Sequence, residues 1–291
     1  MNQLTSHDVF TRLRPRLPDS NKGNYGAALL CCGSAAYRGA ARLSAEGALR
    51  IGAGLVTLAS LEKVLLTVLP ALPECICLPM AESKRGTLCA QNSTTLAAAM
   101  QHACALLFGC GLGQDEDTAA LLETVLASST PLVLDADGLN LLAKQPTLFS
   151  FTGRSTILTP HPGEMARLCG CHLDDILAQP ARAAVHLAQK LDCVLVLKLH
   201  RTLIALPNGI LWQNTTGNAG LARGGSGDFL AGMIAGLLAQ GYSAEDAALC
   251  GVYLHGAAAD AAAAVRGMQT MLPSDLSLYL GQVFAAHETI L

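Results

Sequence analysis

The residues best placed to do chemistry crowd into one stretch, which reads Asn214-Thr215-Thr216-Gly217-Asn218-Ala219-Gly220-Leu221-Ala222-Arg223-Gly224-Gly225-Ser226-Gly227-Asp228 and then turns apolar. Beyond Asp228, Phe229, Leu230, Met233, Ile234, Leu237 and Leu238 recur at helical spacing, and Gln240-Gly241 closes the segment as a C-cap would. The spacing predicts a glycine-dense loop feeding a helix whose first turn lies at residues 225–228. Backbone N–H groups there have no intrahelical acceptor, and the helix dipole adds partial positive charge. Gly224, Gly225 and Gly227 carry no Cβ, so the backbone can lie directly against an anion. A phosphate site is the chemistry this stretch offers.

Asp228 is the exception, because a carboxylate repels phosphate. Two roles fit it: capping of free N–H groups at the helix start, or a general base that takes a proton from a hydroxyl attacking phosphorus. Three glycines in four positions, with Asn214 and Asn218 upstream, favour the second. The loop is not a P-loop, for no G-x-x-x-x-G-K-[ST] occurs.

A parallel α/β arrangement must position these groups. Buried-type strands are predicted at 27–32, 55–60, 105–108, 131–134, 156–158 and 193–197, separated by helical stretches, and ligands in such folds sit past the strands' carboxyl ends. Those ends carry Gly109-Cys110-Gly111-Leu112-Gly113, Asp135-Ala136-Asp137, Thr159-Pro160-His161-Pro162-Gly163-Glu164 and Lys198. Asp135 and Asp137, at i and i+2, are expected on the same side, holding a metal or a ribose or capping the helix that follows. Pro162 suits a first helical position and Glu164 a first turn, whereas His161 between two prolines reads as a ligand contact. Helices are expected at 174–190, with Pro180 as a break, at 244–265, where His255 reads as a satisfied interior or interface histidine rather than a ligand, and at 276–286. Pro207-Asn208-Gly209 predicts a hairpin between strands at 202–206 and 210–212.

Composition narrows the classes. Of the 291 residues 51% are hydrophobic and 14% charged, implying a large core, and a net charge of −3 without a basic run argues against nucleic-acid binding. The first 26 residues show no apolar signal-like stretch, and the apolar run after Asp228 is too short to cross a bilayer, so no membrane role is expected. Eleven cysteines form no paired C-x-x-C, which points to reduced thiols in a cytoplasmic protein rather than a metal or disulfide framework. No internal repeat or linker divides the chain, so residues 1–291 read as one domain.

The string Asn-x-x-Gly-Asn followed by Gly-Gly-x-Gly-Asp resembles the anion-hole signature of the ribokinase-like superfamily. With Thr-Pro-His-Pro-Gly-Glu, Asp-Ala-Asp and Tyr37-Arg38-Gly39-Ala40, the chain is similar to the NAD(P)H-hydrate dehydratase family from about residue 22 to 280. It departs from the usual pattern at Asn21, Cys110, Leu199, Ala219 and Arg223. The resemblance implies a three-layer α/β/α fold with a mostly parallel sheet, and ADP-dependent dehydration of (6S)-NADHX or NADPHX. It implies catalysis by Asp228, hydrate contacts at Ala40, Gly111, Asp137, His161 and Asp228, and nucleotide contacts at Lys198, Leu199, His200, Arg201, Thr202, Asn218, Gly224, Gly225 and Gly227. It further implies ADP as co-substrate, Mg2+ on the nucleotide oxygens with no protein metal site, a homo-oligomer, and a separate epimerase as functional partner. The rival readings are a vitamin-type small-molecule kinase on the same fold and an inactive ligand-binding homologue.

Overall fold

One continuous sheet sets the height of every group that could react. In this computed structural model, which describes residues 1–145 and 150–288, the strands are β1 (Asn2–Leu4), β2 (Ala27–Cys31), β3 (Leu55–Leu61), β4 (Ile76–Met80), β5 (Ala105–Phe108), β6 (Leu132–Leu134), β7 (Thr156–Leu158), β8 (Val194–Leu197), β9 (Leu203–Ala205) and β10 (Leu211–Asn214). They lie in the order β1-β10-β9-β8-β7-β6-β5-β2-β3-β4. Neighbours are parallel except β8–β9 and β9–β10, so β9 alone runs against the rest. Strands β5 to β8 bury every residue, which is why, Thr156 apart, they read as apolar runs rather than alternating ones.

The helices are α1 (Ser6–Phe10), α2 (Arg38–Arg50), α3 (Glu62–Val68), α4 (Ser93–Met100), α5 (Glu116–Leu126), α6 (Asp137–Ala143), α7 (Pro162–Cys169), α8 (Leu173–Ala178), α9 (Pro180–Leu191), α10 (Ser226–Ala239), α11 (Ala244–Arg266) and α12 (Leu276–Glu288). Helices α2, α10 and α11 pack together on one face, and α4 to α9 follow one another across the other. The expected break at Pro180 separates α8 from α9, and the expected hairpin is β9–β10.

Helix α10 is apolar almost all round because it is enclosed on all sides. Its backbone touches that of α2. A Cβ on Gly47 would come within 2.3 Å of the Phe229 carbonyl oxygen, and one on Gly232 within 2.0 Å of the Ser44 carbonyl oxygen. Glycine is required at this crossing, which locks the start of α10 over the carboxyl ends of the strands. By length and composition α11 could cross a membrane, but 61% of its apolar window is buried inside the fold, as in a core helix.

Candidate active site

The carboxyl ends of β6, β7 and β8 bring together a closed polar network. Asp135, 2% exposed, follows β6. Its Oδ1 accepts from Lys198 Nζ at 2.6 Å and from Thr159 Oγ1 at 2.6 Å, and its Oδ2 accepts from the Cys110 thiol at 3.5 Å. Lys198 Nζ also lies 3.9 Å from Glu164 Oε2. Burial works against both charges, but their mutual attraction, with Thr159 and Cys110 acting on Asp135 and Glu164 on Lys198, outweighs it: Asp135 is held below the usual carboxylate range and Lys198 above the usual lysine value. Burial raises the Glu164 carboxyl, with Lys198 opposing.

His161 has a structural role that the sequence reading missed. It is the N-cap of α7, its Nδ1 accepting from the Gly163 N–H at 3.0 Å and the Glu164 N–H at 3.4 Å. Glu164 completes a capping box by accepting from the His161 N–H at 2.8 Å. Burial, then Lys198 and Arg167, lowers the His161 pKa, so the ring is held neutral with Nδ1 as acceptor. Its side chain remains half exposed.

The facing wall is the start of α10. Gly225 is its N-cap at φ 98°, a left-handed conformation that favours glycine, and a Cβ there would meet Leu43 Cδ1 at 2.5 Å. No side chain caps this end, so Asp228 does not serve as a cap. The N–H groups of Gly227 and Asp228 lack intrahelical acceptors, and the bare Cα of Gly227 faces Lys198, whose Nζ would lie 3.4 Å from a Cβ there. Burial, then the Asp135 charge, pushes the Asp228 pKa up to about 6, against a hydrogen bond from Cys110 and the Lys198 charge. That places Asp228 where it can take a proton near neutral pH.

Between the walls lies a cavity of about 750 Å³. Of the expected ligand contacts, His161, Lys198, Leu199, His200, Thr202, Asn218, Gly225, Gly227 and Asp228 line it. Arg201 turns away, its guanidinium donating to the Thr215 carbonyl at 2.5 Å, and Gly224 sits in open space beside it. Ala40, Gly111 and Asp137 form a second group. A Cβ on Gly111 would meet Tyr37 Cβ at 2.6 Å and Ala40 Cβ at 2.9 Å, and Asp137 accepts from the Gly113 N–H and the Gln114 side chain, both at 2.8 Å. Asp135 and Asp137 are therefore not partners on one side, as expected from their spacing. Ala136 between them takes φ 50°, ψ −114°, so the chain leaves the strand alternation at that residue and the carboxylates part. Such a non-glycine conformation costs roughly 1–3 kcal/mol.

Three further residues escaped the sequence reading. His255, read there as satisfied, is 6% exposed and lines the cavity with Nε2 unpartnered among the described residues, and Ser226 Oγ is likewise buried and unpartnered beside it. Burial lowers the His255 pKa to about 4, opposed by a hydrogen bond to the Ser226 backbone. Asp260 of α11 accepts from the Gly217 N–H at 2.8 Å and Asn218 Nδ2 at 2.9 Å, tying down the loop. Two buried orphaned groups on a cavity wall are a signal that only coordinates supply. Arg223, a departure from the family pattern, donates to the Gln269 carbonyl and borders the cavity.

Known proteins resemble this chain over most of its length. A sequence profile of the NAD(P)H-hydrate dehydratase family matches residues 28–282. The ADP-dependent (S)-NAD(P)H-hydrate dehydratase of Bacillus subtilis is 37% identical over 284 residues, covering 98% of each chain. The bifunctional NAD(P)H-hydrate repair enzyme Nnr of Thermofilum pendens is 37% identical over 94% of this chain, which spans 52% of that longer protein. Among solved structures, the ADP/ATP-dependent NAD(P)H-hydrate dehydratase of Bacillus subtilis, co-crystallised with ATP and Mg2+, superposes with a TM-score of 0.84 at 35% identity over 98% of both chains. A hydroxyethylthiazole kinase of Pyrococcus horikoshii, 15% identical with a TM-score of 0.53, shares the fold alone. With its three-layer ribokinase-like fold and a profile match over most of its length, this chain belongs to the NAD(P)H-hydrate dehydratase family.

Proposed function

We propose that the chain carries out ADP-dependent dehydration of (6S)-NADHX or NADPHX, returning NADH or NADPH with AMP and phosphate. The observation that carries this reading is Asp228, a carboxylate raised to about 6 at the mouth of an anion-binding helix start, facing Lys198 across one cavity. Hydroxide is a poor leaving group, and phosphoryl transfer to the C6 hydroxyl of the hydrate turns it into a good one. Asp228 takes the hydroxyl proton while the N–H groups of Gly227 and Asp228 stabilise charge on the transferring phosphoryl group. The ring nitrogen lone pair then expels phosphate and restores the dihydronicotinamide, so hydrate plus ADP balances as reduced cofactor, AMP and phosphate.

In this reading Lys198, Leu199, His200, Thr202, Asn218, Gly225 and Gly227 hold the nucleotide, while Arg201, bonded to the Thr215 carbonyl, and Gly224 shape the loop beside it. The hydrate lies toward Ala40, Gly111, Asp137 and His161, with Asp228 between the two ligands. The cavity carboxylates fit Mg2+ brought in on phosphate oxygens better than a protein-held ion, because Asp135 Oδ1 is already taken by Lys198 and Thr159 and its Oδ2 faces a thiol. Mg2+ bound with the nucleotide would supply neutralisation of phosphate charge beside Asp228. The continuous ten-stranded sheet supports residues 1–291 as one domain. The eleven free thiols suit a reducing, cytoplasmic setting. A homo-oligomer, and an epimerase acting on the other hydrate epimer, complete the reading, the latter supported by the bifunctional name of the longer relatives.

The test is to incubate the protein with NADHX and ADP while following NADH absorbance, AMP and inorganic phosphate. The three products are expected in equal amounts, with phosphate released only when hydrate is present. A stable phosphorylated product without NADH would make the protein a kinase, and hydrate-independent phosphate release would make it a nucleotidase.

A further inference from the structure

Cys110 occupies a place that the proposed chemistry leaves unused. Its thiol is fully buried at the end of β5, and its sulfur lies with carboxylate oxygens of Asp135 and Asp228 in a set whose members are all within 4.8 Å of one another. Asp135 Oδ1 is taken by Lys198 and Thr159, and Oδ2 has the Cys110 thiol at 3.5 Å. An Asp228 carboxylate oxygen lies within 4.8 Å of the same sulfur, and Asp228 lines the cavity. The Cys110 backbone is held firmly: its carbonyl accepts from the Gly33 N–H at 2.8 Å. It is also flanked by Gly109 at φ 130° and Gly111 at φ 66°, where a Cβ would strike the Asp135 carbonyl oxygen and Tyr37.

We propose that Cys110 is a positioning residue for Asp228, its S–H standing between the Asp135 and Asp228 carboxylates and keeping Asp228 ionised and turned to the cavity. The inference rests on Asp228 being the base of the reaction proposed above. Two neighbouring carboxylates oppose each other's ionisation, and a neutral donor between them relieves the conflict without adding a charge that would compete with Lys198. The thiol stays a donor because the neighbouring Cys32, then burial, then the two carboxylates raise its own pKa far above neutrality. The groups acting on Asp228 are Asp135 and Asp137 from the β6 end, Lys198 from the β8 end and Cys110 from the β5 end. The buried titratable groups on the two helices packed against α10 are Glu46 on α2, and His255 and Cys250 on α11.

The test is the pH dependence of kcat for hydrate dehydration between pH 5 and 9 in wild type, Cys110→Ala and Cys110→Ser, with nucleotide Kd measured alongside. In Cys110→Ala the acid limb is expected to move up by about 0.5–1 pH unit, the worth of one weak hydrogen bond. The rate at pH 6 relative to pH 8 then falls several-fold while nucleotide Kd holds. Cys110→Ser, a stronger donor, is expected to place the limb below that of wild type. It decides alone if the alanine variant does not fold. An unmoved limb, or a loss equal at every pH in both variants, overturns the proposal, since packing alone would give the latter. Asp228→Asn run in parallel separates the two failures. Retained turnover there sinks the base assignment, whereas lost turnover beside unmoved Cys110 limbs sinks only this inference.

Discussion

The two walls of the cavity are built on opposite principles. On the strand-end wall, Asp135, Thr159, Lys198, Glu164 and His161 satisfy one another through contacts of 2.6 to 3.9 Å. On the α10–α11 wall, Ser226 Oγ and His255 Nε2 are buried with no partner among the described residues, and the first N–H groups of α10 have no intrahelical acceptor. An unpaired buried polar group costs about 1–3 kcal/mol, a cost that a ligand bonding to Ser226 or His255 would recover. The first wall is a prepared electrostatic frame, whereas the second is left incomplete for a guest. Asp228 belongs to the second wall in sequence and to the first in electrostatics, because Asp135, Lys198 and Cys110 all act on it.

The largest effect should come from cutting where the walls meet. Asp228→Asn is expected to lose roughly 10²–10⁴ in turnover, the usual worth of general acid–base catalysis, with nucleotide Kd little changed. Its stability should move the other way. A carboxyl raised from 3.8 to about 6 adds no cost below pH 3.8 and its full cost above about pH 6, so the asparagine variant should be more stable at pH 8. The gain is up to about 3 kcal/mol at 1.36 kcal/mol per unit. Thermal melts at pH 8 and pH 4 check this: a destabilised variant at pH 8 would show that Asp228 supports the helix start after all.

Next in size is a break in the closed wall. Lys198→Met leaves the Asp135 carboxylate buried without its cation, which should cost about 3–5 kcal/mol of unfolding free energy in denaturant titrations. A loss below about 1 kcal/mol would mean that the network is held by Thr159 and Cys110 rather than by charge.

The smallest expected effect sharpens the contrast from the other side. Ser226→Ala removes a hydroxyl that has no partner, so the free protein should melt at the same temperature or slightly higher. ADP affinity should fall several-fold, as for one hydrogen bond of about 0.5–1.5 kcal/mol. Unchanged affinity together with a lower melting temperature would place Ser226 among the structural residues and erase the difference between the walls.

Much of this was written along the chain. The apolar runs at β5 to β8 and the helical spacing after Asp228 announce a parallel sheet and a buried helix, because burial on both faces leaves no alternation to hide them. The glycines at 224, 225 and 227 announce an anion site, because only a backbone without Cβ can lie so close to a ligand. Asp228 stood out as a carboxylate where an anion belongs. What the order of residues left open was decided by the tertiary structure. Alternation along a strand puts Asp135 and Asp137 on one side, but Ala136 leaves that conformation and sends them to Lys198 and to Gly113. His255 and Asp260 look like packing positions on an alanine-rich helix, and only the crossing of α11 over the loop turns one into a cavity wall and the other into the anchor of Gly217 and Asn218. Periodicity and residue type act over a few neighbouring residues and are legible locally. The partners of a buried polar group come from distant parts of the chain, and which of them meet depends on how the layers pack.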